Sequence, residues 1–289
     1  MNDRLKTYTS NAPQSNLRGD YSRAGPGYVV DQCWDDYTAG EHALWRRLYE
    51  RQIRLVPHYA CREYLAILQT LDAAGKIPRF DEVSQGLRAT TRWELVAVPG
   101  LIPDLVFFEH LAHRRFPVTN WLRKPEEFDY IVEPDVFHDF FGHVPLLFDP
   151  LYADYMEAYG KGGLKAAQLD SLKYLARLYW YTVEFGLMGA PEGLRVYGAG
   201  ILSSGGEVVY SVENPTPRRV MFRLERLLRT DYRIDRYQDT YFVIESFKKL
   251  IDDTAPDFTP IYERIKALPL FAPDELVSGD VVVAPVPPS

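Results

Sequence analysis

Apolar residues recur at three- and four-residue intervals through most of this chain, and that rhythm restricts it to a mainly helical fold. Leu44, Trp45, Leu48 and Leu55 share one face over 41–55, with Arg46, Arg47, Glu50 and Arg51 elsewhere. Cys61, Tyr64, Leu65, Leu68 and Leu71 continue the spacing. Asp81 is placed to cap a short helix through Leu87. Pro103 suits the first turn of a helix reaching about Arg115, because its missing N–H would be unpaired there. A long pattern runs from about Leu164 to Met188 and stops at Gly189. Val220, Met221, Leu224, Leu227 and Leu228 form another apolar face, and Ile261, Ile265 and Leu268 the last. Strand signals are few. Trp93–Val98 and Tyr241–Ile244 are β-branched or aromatic, and Ile201–Tyr210, centred on Gly205-Gly206, reads as a hairpin. These strands do not alternate with the helices, so a doubly wound parallel sheet is not expected. The predicted class is mainly α, an α+β fold with small β-hairpins.

Residues 1–30 are polar and without periodicity, and read as a flexible N-terminal arm. Residues 31–272 read as a single domain, and 273–289, ending VAPVPPS, as a C-terminal tail. A formal charge of −7 argues against a nucleic-acid partner. No apolar run approaches the roughly 20 residues of a membrane span, and residues 1–16 contain no apolar signal core. Two cysteines, Cys33 and Cys61, cannot form a disulfide framework. A cytoplasmic protein is expected. No phosphate-binding loop is present, since Tyr197-Gly198-Ala199-Gly200 fails the dinucleotide spacing. Aromatic residues make up 14% of the chain, high enough to call for a reason.

The informative segment is Glu133-Pro134-Asp135-Val136-Phe137-His138-Asp139-Phe140-Phe141-Gly142-His143-Val144-Pro145. Pro134 and Asp135 suit a helix start, and Gly142 suits a left-handed residue just beyond its end. His138 and His143 are five apart, which on a continuous α-helix is roughly 140° around the axis. They converge only if Gly142 ends the helix and the chain turns. Two imidazoles among so many apolar neighbours need partners, and a metal is one. A third ligand is sought in an apolar setting. Glu184, in Tyr179-Trp180-Tyr181-Thr182-Val183-Glu184-Phe185, fits: a buried Glu must be paired, protonated or metal-bound. Pairing with Arg177, two turns away, stays open. Two histidines and one carboxylate on separate elements match the ligand set of non-haem Fe(II) oxygenases. His110 and His113 stand beside Arg114 and Arg115 and suggest a solvated face, while His42 and His58 are isolated.

EPDVFHDFFGHVPLL and LYWYTVEFGL resemble the iron-binding segments of the pterin-dependent aromatic amino acid hydroxylases. VAVPGLIPDLVFFEHLAHRRFP, YGAGILSS and YFVIESF are similar to other segments of that family, in the same order. Together they cover most of residues 40–250, and the length resembles the short bacterial members. The resemblance implies a helical basket with Fe(2+) in a deep cleft, a tetrahydropterin cofactor such as tetrahydrobiopterin, and hydroxylation of L-phenylalanine to L-tyrosine by O2. It implies His138, His143 and Glu184 as iron ligands. Gly100, Leu101, Phe107, Ala176 and Tyr179 would line the pterin pocket. Asp139 falls where the family has a glutamate near the pterin, and its side chain is one methylene shorter. Arg123 would grip the substrate carboxylate, with Ser203 beside it, while Pro134, Trp180 and Phe185 would wall the aromatic pocket. Asp135 is a candidate acceptor for the N–H of a ligand imidazole. Ile234 falls where phenylalanine-specific members are apolar, and a slip of one residue would bring Asp235 there instead.

A monomer is expected, since residues 1–30 are too few for the family's regulatory domain and the tail lacks heptads. Two other readings of the residues remain: a zinc hydrolase on the same three ligands, and a non-catalytic module stabilised by a metal.

Overall fold

A computed structural model describes residues 17–286. Helix α1 (Ala39–Tyr59) starts where Thr38 and Glu41 form a reciprocal capping box. It buries Leu44, Trp45, Leu48, Tyr49, Gln52 and Val56. Helices α2 (Arg62–Leu68) and α3 (Phe80–Thr90) follow. Asp81 lies in the first turn of α3, two residues inside the position its capping role requires, and the N-cap is Arg79. Strand β1 (Glu94–Val98), helix α4 (Asp104–Ala112) and strand β2 (Arg115–Thr119) make one right-sized crossover, with β1 and β2 parallel. The expected helix to Arg115 therefore ends three residues early: Arg114 turns with a left-handed φ of 55°, and Arg115 opens β2.

The chain enters a π-helical turn at His138–His143 and passes directly into α5 (Val144–Leu147). Helix α6 (Pro150–Gln168), capped by Asp149, packs on α4. The two helices approach so closely that a Cβ on Gly160 or Gly163 would collide with the Ala112 backbone or the Phe108 ring. The helix expected over 164–188 is broken. α6 ends, Asp170 takes a left-handed φ of 50°, and α7 (Leu172–Tyr179) begins afresh. A second π-helical turn (Trp180–Glu184) follows, then strand β3 (Leu187–Ala190) and β4 (Gly193–Val196). Periodicity persists across such a joint because both helices bury the same side.

Ile201–Tyr210 is not a hairpin. It contains α8 (Ala199–Ser203) and α9 (Glu207–Glu213), with the two glycines between them. Burial of Val208 and Val212, four residues apart, outweighs their β-branching. Val220 and Met221 likewise leave the expected helical face for strand β5 (Arg218–Met221), ahead of α10 (Leu224–Leu228). Strand β6 (Thr240–Ile244), buried along its whole length, sits between β3 and β5 in the order β4-β3-β6-β5. Among the described residues only β3 and β4 form a hairpin, since β6 runs parallel to both its neighbours. Helices α11 (Phe247–Thr254) and α12 (Thr259–Ile265) complete the set.

Both ends of the described chain dock. Tyr21 donates to the Leu101 carbonyl at 2.8 Å, and Val30 N–H to the Ala97 carbonyl at 2.9 Å. At the other end Val283 N–H bonds to the Arg219 carbonyl on β5 and Val286 N–H to that of Val212 on α9. Residues 1–16 of the expected arm and 287–289 of the expected tail lie outside the described residues.

Candidate active site

The two π-helical turns carry the site. An i→i+5 turn is wider than an α turn, so residues five apart return nearly to the same side. His138 and His143 thus converge without the expected break. Gly142 has no left-handed φ; its role is contact. A Cβ there would stand 2.7 Å from the Ala199 carbonyl oxygen, so the glycine lets the first turn press against α8. The second turn, closed by Phe185 N–H to the Trp180 carbonyl at 2.9 Å, points Glu184 at both rings.

His143 Nε2 lies 3.1 Å from Glu184 Oε1 and His138 Nε2 3.5 Å from Oε2. One ligand atom from each residue falls within a common 4.8 Å. Burial opposes ionisation of Glu184, but the facing imidazoles more than reverse this and hold its carboxyl well below the usual range. Arg177, the alternative partner, instead donates to the Lys173 carbonyl and reaches Asp231 at 3.4 Å. The tautomer of His138 follows from its neighbours. Ser203 Oγ donates its proton to the Ala199 carbonyl at 2.9 Å, so at 2.9 Å from His138 Nδ1 it acts as acceptor. Nδ1 then carries a hydrogen, and Nε2 is the nitrogen turned toward Glu184. Two imidazole nitrogens and a carboxylate oxygen facing one point are a donor set that fits a divalent cation, and three ligands leave open positions.

Asp135 does not take the imidazole N–H expected of it. Buried and fully engaged, it accepts from Arg123 Nε, Nη2 and backbone N, each at 2.9 Å, and from the His138 backbone N–H at 3.0 Å. The imidazole contact falls to Ser203. Burial raises the cost of charging Asp135, but Arg123 outweighs it and holds the carboxyl below its ordinary value. Arg123 is itself buried, and Nη1 is the guanidinium nitrogen that Asp135 leaves unclaimed.

Two clefts meet at the cluster. One, spanning about 710 Å³ of space partly open to solvent, is lined by Gly100, Leu101, Phe107, Asp139, Ala176 and Tyr179, together with His138, His143 and Glu184. Phe107 meets Tyr179 edge to face at 5.5 Å. Asp139 accepts from the Thr119 N–H at 2.8 Å, and burial pushes its carboxyl up against the pull of His138. The other, about 1160 Å³, is lined by Arg123, Pro134, Trp180, Phe185 and Ser203, again with His138 and Glu184. Ile234 lines it, whereas Asp235 faces solvent and pairs with Arg236. Glu207 and Gln238 line it too, and sequence reasoning missed both. A glutamate opening a helix carries no distinguishing signal, and Gln238 is polar next to a strand. His110, read as solvated, is buried and hydrogen-bonds the Gly27 carbonyl at 2.7 Å.

The sequence family described as biopterin-dependent aromatic amino acid hydroxylase matches residues 30–264. A phenylalanine-4-hydroxylase of Chromobacterium violaceum is 57% identical over 261 residues, 88% of each chain. One of Ralstonia nicotianae is 55% identical over 259 residues, 89% of this chain and 83% of that one. The C. violaceum phenylalanine hydroxylase crystal structure with bound iron and phenylalanine superposes with a TM-score of 0.86 at 52% identity, over 93% of this chain and 97% of that one. Another from that organism, with iron(III) and 7,8-dihydrobiopterin, gives 0.86 at 53% identity over 89% and 93%.

Proposed function

The chain belongs to the biopterin-dependent aromatic amino acid hydroxylases, and on that premise we propose that it hydroxylates L-phenylalanine to L-tyrosine, using O2 and a tetrahydropterin at ferrous iron. One observation carries this reading: the two-histidine, one-carboxylate cluster lies where a narrow, aromatic-lined cleft meets a larger one holding a buried arginine. When bound, iron and tetrahydropterin supply the electrons that activate O2. The protein binds, orients and excludes water.

In this reading His138, His143 and Glu184 hold the iron. Ser203 fixes the His138 ring. Gly100, Leu101, Phe107, Ala176 and Tyr179 form the slot for the flat pterin, and Asp139 faces it from beside His138. Arg123, locked against Asp135, presents Nη1 to the substrate carboxylate, a planar donor suited to that group. Ser203, on the same cleft, stands near. Pro134, Trp180 and Phe185 enclose the benzyl ring. Ile234 at the rim offers no polar partner to a ring hydroxyl, which favours phenylalanine over tyrosine.

The test is tyrosine formation from phenylalanine by the iron-loaded protein with tetrahydropterin, set beside Glu184→Ala. Stoichiometric iron and activity lost in the variant are expected. Zinc in place of iron with no pterin-dependent oxygen uptake would overturn the reading in favour of a hydrolase. We further infer a monomer acting in the cytoplasm. Residues 281–286 lie along β5 and α9 of their own chain, and no described helix is long and apolar enough to cross a membrane. A stable tetramer by light scattering, or activity in the membrane fraction, would refute these two points.

A further inference from the structure

Trp180 is an aromatic wall of the larger cleft whose polar tip is tied down inside the protein. Its indole N–H donates to Gln238 Oε1 at 2.8 Å. An indole can only donate, so the amide must turn its oxygen toward Trp180 and its NH2 the other way. That NH2 reaches the carbonyls of Arg233 at 3.2 Å and Arg236 at 3.4 Å. Gln238 therefore joins Trp180, in the turn that bears Glu184, to the 232–237 segment that brings Ile234, Arg236 and Tyr237 to the cleft. Tyr232 stacks on the Trp180 ring with centroids 4.5 Å apart. Behind Gln238 stands Glu207, whose Oε1 accepts from the Gln238 backbone N–H at 3.2 Å and from the Tyr241 hydroxyl at 2.7 Å. Gln238, Glu207 and Tyr241 are all buried. A buried polar chain with its members paired is rigid, and breaking one link strands the next.

We propose that Gln238, anchored by Glu207, is a positioning residue that fixes the Trp180 ring and the 232–237 rim relative to the metal cluster, and so sets where the substrate ring stands when oxygen is delivered. This rests on the hydroxylase reading above. An enzyme whose substrate ring sways still consumes pterin and O2 but loses product, because a misplacement of about 1 Å at a reacting centre is costly. The observable is the ratio of tyrosine formed to tetrahydropterin oxidised.

The experiment is a double-mutant cycle of Gln238→Leu and Trp180→Phe in the iron-loaded protein, with near-ultraviolet circular dichroism of the metal-free forms as a readout independent of turnover. Each single variant is expected to lower the product-to-pterin ratio about threefold or more and to raise KM for phenylalanine, with iron content and pterin KM unchanged. The double variant is expected to be no worse than the poorer single, since both break one interaction. Gln238→Leu should also reproduce the loss of tryptophan dichroism expected of Trp180→Phe. Should Gln238→Leu not fold, Gln238→Asn, which keeps the amide but withdraws it by one methylene, takes its place. A folded Gln238 variant with the wild-type ratio, or a double variant whose loss is the product of the two singles, would overturn the proposal. A wild-type protein that makes no tyrosine defeats the hydroxylase reading itself, whereas tyrosine formation with multiplicative losses defeats this inference alone.

Discussion

Single residues decide the electrostatics of the site. Arg123 and Asp135 are a sealed ion pair, and removing one partner leaves the other charge buried. Arg123→Ala is expected to lower unfolding free energy by about 3–5 kcal/mol in denaturant titration. Arg123→Ala with Asp135→Ala should recover part of that. Ser203 is the acceptor that sets the His138 tautomer, and partners of this kind commonly change metal affinity about 10–100-fold. Ser203→Ala is therefore expected to weaken iron binding by that range in a titration of metal-free protein. Glu207 behaves differently. Burial pushes its carboxyl up to about 7, against the bonds from Tyr241 and Gln238 that favour the charged form. The folded state keeps this proton where the unfolded chain, near the ordinary value of 4.5, has lost it. Its contribution is full below about pH 4.5 and is lost as pH rises through 7. Glu207→Gln should flatten the stability profile across that window in melts at several pH values. Arg123, Asp135 and Ser203 were legible as candidates but not their partners, and Glu207 and Gln238 were not legible at all, because they are ordinary polar residues until their neighbours are known.

At the scale of elements, the two π-helical turns matter most. The spacing of His138 and His143 was legible, and so was the need for them to meet. How they meet was not: a chain break at Gly142 and a widened turn satisfy the same five-residue interval. The choice shows only in the contact of Gly142 with Ala199. Gly142→Ala is expected to push the first turn off α8, costing about 1–3 kcal/mol by overpacking and lowering iron content. A thermal melt and metal analysis of the variant check both. If the glycine served as a left-handed cap, Asn would be tolerated there; against a carbonyl oxygen 2.7 Å from its Cβ it should fare worse than Ala. The misread elements share a cause. Val220, Met221 and Ile201–Tyr210 are short apolar stretches whose local preference is weak, and neighbouring chain decides between helix and strand.

For the molecule as a whole, the metal should stabilise the fold as well as act in it. A cation held by three residues from two separate turns binds only the folded chain, so saturating iron raises stability by mass action. At about 100 times its dissociation constant the gain is about 2.7 kcal/mol. Chelation should lower Tm in wild type and leave Tm unchanged in His138→Ala, by calorimetry with and without chelator. The sequence by itself determined the helical class, the aromatic surplus and the family, and it singled out His138, His143 and Glu184 as candidates. Periodicity, ligand chemistry and ordered motifs are properties of the residues and survive without coordinates. Tertiary structure alone decided the parallel pairing of β3, β5 and β6, the docking of both described ends, and the partners of Asp135, Ser203, Glu207 and Gln238. Those depend on groups far apart in the chain. Asp135 could serve His138 or Arg123 equally well by chemistry, and only the packing of 123 against 135 gave it to the arginine.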